Sequence, residues 1–430
     1  MKFLSISSAM KKGSGKVSVR GWIYRSRGSN KMKFIILRDV SNIIQCVLDR
    51  KKFEKQWADI DRFQIESSIE IEGFIKKDQR APTGYEIEVS GFKIIGESDE
   101  FPINKDSTEG VLADKRHLYL RSRKMTSIMK IRSRYVQARE EFFIKKGFYR
   151  FDTPVLQPTQ SEGGSTVFEV KYYNNKSYLA QTWQLYGEAA IFALEKVYNM
   201  GPTFRAEKSN TSRHLSEFWM AETEVAWWRL DKITEFAKKE IKYCLEVVAK
   251  ECSEEFKFLG VDTNKLLKIA KKKWPTIKYR EAIKILKEKE GMKVPFGKDL
   301  RTIEEQKLMK HFDTPIVVTH YPRQTMAFYK PADSQAKDEA LCFDMLAPGC
   351  GLEIVGGSER SLDVKDMSER LKKDKEDPKN YQFYFDLRKY GSVPHSGYGV
   401  GVERVIQWIC GLDTIKDAIP FPRTMTRMKP

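Results

Sequence analysis

The segment GPTFRAEKSNTSRHLSEFWMAETE, residues 201–224, holds the densest group of side chains suited to chemistry at phosphorus. Its ends, GPTFRAE and EFWMAETE, read as strands flanking a polar loop, which predicts an antiparallel hairpin with Arg205, Glu207, Arg213 and His214 near its mouth. A fixed guanidinium beside further cations is what an α-phosphate under nucleophilic attack needs, because charge builds on its oxygens in the transition state. Phe218 offers a ring on which a purine can stack. Nearer the C terminus, GYGVGVERVIQW (residues 397–408) sets Gly397, Gly399 and Gly401 ahead of a helix starting near Glu403 and Arg404, so backbone and ligand can approach closely. The glycine spacing is not that of a dinucleotide fingerprint, and Arg404 is a candidate for the distal phosphates of ATP. Singly, each pattern also describes a solvated hairpin rim or a glycine-rich turn.

Residues 125–146 (MTSIMKIRSRYVQAREEFFIKK) carry apolar side chains at helical spacing, Gly147 stops the helix, and FYRFDTPVLQP reads as a strand closed by proline. Residues 231–312 alternate lysine-rich helical stretches and read as a helical insertion, after which strand-like segments return. Before all this, residues 1–97 hold about five short alternating runs (VSVRGWIYRSRG, MKFIILRDVSNIIQCVLD, SSIEIEGFIKK, GYEIEVSGFKIIG), the pattern of a small closed barrel of the OB type or of a β-sandwich. Residues 98–122 are polar, as in a hinge. The expected architecture is therefore α+β and multidomain: 1–97 a barrel, 98–122 a hinge, and 123–430 a mixed domain interrupted at about 231–312.

Composition adds bounds. Lysine and arginine outnumber aspartate and glutamate 77 to 59, a net charge of +18, which suits a polyanionic partner, nucleic acid before membrane. The six cysteines form no C-x-x-C pair, so neither a zinc ribbon nor a disulfide framework is expected. The start, MKFLSISSAMKKG, is too short and polar for a signal peptide, and no apolar run reaches the ~18 residues of a membrane span, so a soluble, cytoplasmic chain is expected.

Taken together and in order, the long helix running into Phe151-Asp152-Thr153-Pro154, the 201–224 hairpin and the 397–408 turn resemble motifs 1, 2 and 3 of class II aminoacyl-tRNA synthetases. The whole chain resembles the archaeal-like members of the subclass for aspartate, asparagine and lysine. The resemblance implies an N-terminal OB-fold β-barrel that reads the anticodon, followed by an antiparallel catalytic sheet flanked by helices, and a homodimer with Pro154 near its interface. It implies Arg205 on the α-phosphate, Phe218 on adenine, Arg404 on the γ-phosphate side, Glu207, Arg213 and His214 around ATP, and Asp344 and Glu353 holding Mg2+ through hard carboxylate oxygens. Gly356 stands where some relatives carry a metal-binding serine. Glu162 and Gln184 would meet the substrate α-ammonium, an anion and a carbonyl oxygen facing a cation. In the barrel, Phe34 would stack on an anticodon base, Gln45 would hydrogen-bond beside it, and Glu88, or alternatively Glu86, would read a further base.

The amino acid follows from three positions. Aspartate enzymes of this type carry Q-S-P-Q-L-[FY]-K, where this chain reads QTWQLYG with Gly187 in place of the lysine. They place aspartate where Glu222 stands, and end F-P-R-D where this chain has Phe421-Pro422-Arg423-Thr424. With Arg360 donating to the amide oxygen and Glu222 accepting from the NH2, both halves of a carboxamide would be read, and a wrong substrate would leave buried groups unpaired. The implied activity is conversion of L-asparagine and ATP to the aminoacyl adenylate and transfer to the 3′ end of tRNA(Asn). The alternatives are an aspartyl enzyme of relaxed specificity and a synthetase-derived asparagine synthetase. The barrel at residues 1–97 weighs against the second, whose relatives lack it.

Overall fold

The computed structural model of this chain describes residues 2–161, 166–208, 214–349 and 352–430. The chain forms two compact units, Met1–Leu112 and Ala113–Pro430.

In the first unit β1 (Gly15–Gly28), β2 (Met32–Arg38), β3 (Ile43–Asp49), β4 (Ser68–Lys77) and β5 (Tyr85–Gly96) close into a barrel in the order β1-β2-β3-β5-β4. The β3–β5 pair is parallel and the others antiparallel. Period-two patterning explains it: β4, SIEIEGFIKK, buries Ile69, Ile71 and Ile75 and turns Glu70 and Glu72 outward. The helix Ile6–Lys12 is capped by Ser5, buries Ile6 and Ala9 in the barrel core, and its first N–H donates to Asp39 Oδ2 at 2.8 Å.

The second unit holds β6 (Tyr149–Arg150), β7 (Leu156–Gln157), β8 (Glu169–Tyr172), β9 (Asn175–Leu179), β10 (Lys196–Phe204) and β11 (Glu217–Ala226). It continues with β12 (Thr276–Lys278), β13 (Ile316–Thr319), β14 (Cys342–Ala347), β15 (Leu352–Glu359) and β16 (His395–Gly401). Among the described residues, eight of these form one sheet in the order β12-β13-β14-β15-β16-β11-β10-β6, antiparallel except at its two ends. A smaller sheet, β7-β9-β8, stands beside it in sequence.

The helix Arg123–Lys145 forms as its spacing predicts. Ser122 caps it, and Met125, Ile128, Ile131, Tyr135, Ala138 and Phe142 fall on one buried stripe. It packs with the helix Leu230–Glu251 over the sheet, in a core that also takes in Val400, Val402 and Ile406. Each such side chain stabilises the unit by about 1.5–3 kcal/mol relative to exposure. Within 231–312, the helix Leu230–Glu251 belongs to this main core, and β12 adds to the sheet edge. The helices Tyr279–Glu290 and Thr302–Met309 cover a second cluster around Ile316 and Val318.

One local expectation is corrected. FYRFDTPVLQP is not one strand: β6 and β7 lie in different sheets, and residues 151–155 between them are irregular. Phe151 explains the break, since its N–H donates to Tyr198 O while its carbonyl accepts from Trp183 Nε1 at 2.7 Å, and Pro154 has no N–H to continue a ladder.

Candidate active site

β10 and β11 form the predicted hairpin, paired from Lys196 with Val225 to Phe204 with Glu217. Arg205 follows the last rung, and Phe218 pairs with Thr203. The Arg205 guanidinium lies 5.6 Å from the Phe218 ring centroid, and its buried Nε has no hydrogen-bond partner. A buried donor left unmade is costly, so an anionic acceptor at this place is what the geometry calls for. His214 and Glu207 approach to 3.6 Å at the hairpin mouth. Glu162 and Arg213 lie outside the described residues.

These side chains line a cavity of about 330 Å³ together with Gln184, Glu222, Arg360, Asp344, Glu353 and Arg404, a volume within the range of small-molecule pockets. At one end Arg404, in the first turn of the helix Val402–Ile409, donates from Nη1 to Glu353 Oε2 at 3.1 Å and to Glu353 O at 2.9 Å. Asp344 on β14 pairs with Gly356 on β15. A Cβ at Gly356 would stand 3.1 Å from Glu353 Oε1 and 3.4 Å from Asp344 Oδ1, so the two carboxylates converge over a position that carries no side chain. Burial drives the Asp344 carboxyl well above the usual carboxylate range, the Glu353 carboxylate adds to that, and Lys330 opposes it. Two hard carboxylates beside a phosphate-sized space fit Mg2+, which is held through one or two carboxylates with substrate phosphates and water completing its shell. Among the described residues no group of three or more His, Cys, Asp or Glu side chains forms a dedicated metal cage.

At the other end the structure separates two acids that sequence treats alike. Glu222 accepts from the Trp183 N–H at 2.8 Å and from the Thr182 hydroxyl, bracing the start of the helix Gln184–Leu194. Glu224, two residues on along the same strand face, is the partner of Arg360: Nε donates to Glu224 Oε2 at 3.2 Å, Nη2 donates to Oε1, and Nη1 donates to Ser358 Oγ at 2.8 Å. Room for this pair comes from Gly397, where a Cβ would stand 2.1 Å from Glu224 Oε1. Burial raises the Glu224 carboxyl, Arg360 pulls it back, and the Glu188 and Glu222 anions push it up again, to about 8. Tyr329 lies under the Arg360 guanidinium at 5.3 Å.

Behind the pocket stands Glu188, fully buried on the Gln184–Leu194 helix. Burial raises its carboxyl, but Arg388, His395 and Arg360 outweigh burial and hold it well below the usual range.

In the barrel unit Phe34 (β2) sits half-buried under the Arg27 guanidinium at 5.6 Å. Gln45 (β3) accepts from Arg27 Nη2 at 3.3 Å and donates to Glu86 Oε2 at 3.0 Å. Glu88 (β5) bonds Lys52 at 2.6 Å instead, so the acid joined to Gln45 is Glu86. Pro154 is exposed on its own unit.

Residues 108–425 match the family of tRNA synthetases class II (D, K and N). The chain belongs to the class II tRNA synthetases of this group. Residues 17–95 of this synthetase match the OB-fold nucleic acid binding domain, in keeping with the closed barrel. The asparagine–tRNA ligase of Thermoplasma acidophilum is 43% identical over 430 residues, 99% of this chain and 100% of the relative. That of Thermococcus kodakarensis is 42% identical over 415 residues, 96% of each chain. Among solved structures, asparaginyl-tRNA synthetase from Pyrococcus horikoshii complexed with asparaginyl-adenylate superposes with a TM-score of 0.95 at 38% identity over the whole of both chains. Sequence reasoning missed Glu224, Glu188, Arg388 and His395. Only the first two carried a signal, Glu224 two residues along a strand from Glu222 and Glu188 one helical turn from Gln184.

Proposed function

We propose that this class II synthetase is an asparagine–tRNA ligase: it joins L-asparagine to ATP as asparaginyl adenylate and passes the asparaginyl group to the 3′ end of tRNA(Asn). The observation that carries the amino acid is that Arg360, an obligate donor held by the buried Glu224, and Glu222, an acceptor, line one cavity. A carboxamide satisfies both, its oxygen taking N–H from Arg360 and its NH2 giving to Glu222, whereas an aspartate carboxylate has no proton to give to Glu222.

The asparagine carboxylate attacks the α-phosphorus and the bond to pyrophosphate breaks. Arg205 meets the growing charge, Phe218 carries the adenine, and Arg404 holds the distal phosphates, with Glu207, Arg213 and His214 around the triphosphate. Asp344 and Glu353 would hold Mg2+, which when bound would offset negative charge on the triphosphate. A terminal ribose hydroxyl of the tRNA then attacks the acyl carbonyl and AMP leaves. Gln184 and Glu162 take the α-ammonium, and Glu222 frames the pocket. No side-chain nucleophile is needed; positioning and charge carry the reaction. Residues 1–97 read the anticodon through Phe34, Gln45 and Glu88 or Glu86, residues 98–122 act as the hinge, and residues 123–430 carry the chemistry as a cytoplasmic homodimer joined near Pro154. Among the described residues no helix is long and apolar enough to cross a membrane.

ATP–pyrophosphate exchange without tRNA, with asparagine and aspartate in parallel, tests this reading. Exchange with asparagine alone is expected; exchange driven by aspartate would move the chain to an aspartate-activating role.

A further inference from the structure

Glu188 is a fully buried carboxylate with several partners, and the reaction as written does not use it. Its Oε1 accepts from Gln184 Nε2 at 2.9 Å and from the Tyr384 hydroxyl at 2.7 Å. Its Oε2 accepts from Arg388 Nη2 and faces His395 Nε2 at 3.0 Å. Arg360 Nε stands 3.7 Å from Oε1. Two of these partners, Gln184 and Arg360, line the cavity, and in the function proposed above they meet opposite ends of one substrate.

The bond to Gln184 has a chemical consequence. A carboxamide presents an oxygen on one side and an NH2 on the other, and only its partners decide which way it faces. A carboxylate accepts and does not donate, so Glu188 draws the Nε2 side of Gln184 toward itself and leaves the amide oxygen as the end available to a cation. Turned the other way, Gln184 would offer N–H groups to an ammonium, which has no acceptor. Arg388 is fixed in turn, donating from Nε to Ser361 O at 3.0 Å and from Nη2 to Tyr384 Oη at 2.9 Å. His395 is held by Val393 O, 2.7 Å from Nδ1. The carboxylate is thus anchored from the helix Gln184–Leu194, the helix Gln382–Lys389 and the start of β16 at once.

We propose that Glu188 is a positioning residue for amino-acid binding, fixing the Gln184 amide with its oxygen toward the substrate α-ammonium and steadying Arg360 at the side-chain end, with Tyr384, Arg388 and His395 as its anchors. The proposal rests on the asparagine reading above. The decisive variant is Glu188→Gln in the full chain, assayed by pyrophosphate exchange. Loss of this charged, buried orienting group is expected to raise the KM for asparagine about 10-fold or more while the KM for ATP stays within about 2-fold. Exchanging the pair, Gln184→Glu together with Glu188→Gln, again places an acceptor toward the ammonium with a donor behind it, and is expected to recover most of the asparagine KM. Should Glu188→Gln fail to fold, Tyr384→Phe removes one hydrogen bond to Oε1 from outside the cavity and is expected to raise the asparagine KM about 3-fold with ATP unaffected. Asparagine and ATP parameters falling together, an unchanged asparagine KM, or no recovery in the exchanged pair overturns the proposal. Failure of the asparagine reading itself would look different, as a wild-type chain without asparagine-dependent exchange.

Discussion

Replacing Glu222 by glutamine tests which acid excludes aspartate. Arg360 and Glu222 line one cavity, so in the wild-type chain an aspartate side chain seated against Arg360 would bring its carboxylate toward that of Glu222. Two unit charges about 4 Å apart at an effective dielectric of about 20 repel by about 4 kcal/mol, close to a 10³-fold ratio in kcat/KM. Glu222→Gln removes that repulsion, while the glutamine oxygen can still accept from an asparagine NH2. Preference for asparagine over aspartate should therefore fall by about 10²- to 10³-fold, mainly through gain of aspartate activation. Parallel pyrophosphate exchange across a concentration series of each amino acid gives both kcat/KM values. Glu224→Gln is the control: its side chain is taken up by Arg360, so that variant is expected to weaken both substrates without opening the pocket to aspartate. If Glu222→Gln still rejected aspartate at the wild-type ratio while activating asparagine, charge at Glu222 would not be the discriminating element.

Gly187→Ala should destabilise the fold: the new Cβ would stand 2.3 Å from the Trp183 ring, and overpacking of about 1–3 kcal/mol outweighs the gain of about 1 kcal/mol that alanine normally brings to a helix interior, so a lowered Tm in thermal unfolding is expected. Phe34→Ala should leave asparagine-dependent pyrophosphate exchange unchanged and lower charging of tRNA by about 10-fold, as expected for one lost stacking platform worth about 1–3 kcal/mol.

The barrel was legible because its runs are short, rich in β-branched residues and bounded by turn residues, with β1 and β4 alternating at a period of two. The long helix Arg123–Lys145 was legible for the complementary reason, a single apolar stripe at helical spacing with Ser122 at one end and Gly147 at the other. The Arg205 and Arg404 part of the cavity was equally accessible, since Arg205, Phe218 and Arg404 are placed by local structure: the last rungs of one hairpin and the first turn of one helix. FDTPV failed because its apolar residues invite a strand while the partners that break it, Tyr198 and Trp183, are brought in by folding. Arg388 and His395 were invisible for the same reason. A buried charge is tolerable only when paired, and its pairing partners lie some 200 residues away in the chain.

Glu222 and Glu224 make the boundary between the two kinds of knowledge sharp. Alternation puts both on one face of β11, and nothing local distinguishes them. Register does. Glu224 pairs with Gly397, which pairs in turn with Ser358, while Glu222 pairs with Gly399, which pairs with Gly356. Each acid therefore looks across a glycine on β16 toward β15, and the first of these rungs ends beside Ser358 and Arg360 while the second ends beside the Asp344–Glu353 corner. The G-Y-G-V-G pattern thus acquires a more specific meaning than close approach of a ligand. Gly399 and Gly401 line the cavity, Gly397 makes room for Glu224, and Tyr398 and Val400 join the core, so a single strand both floors the pocket and seals the hydrophobic interior beneath it. Shifting β16 by one residue would put Tyr398 against the Arg360–Glu224 pair and glycine into the core, and for that reason the apolar packing of the sheet also fixes the chemistry of the site.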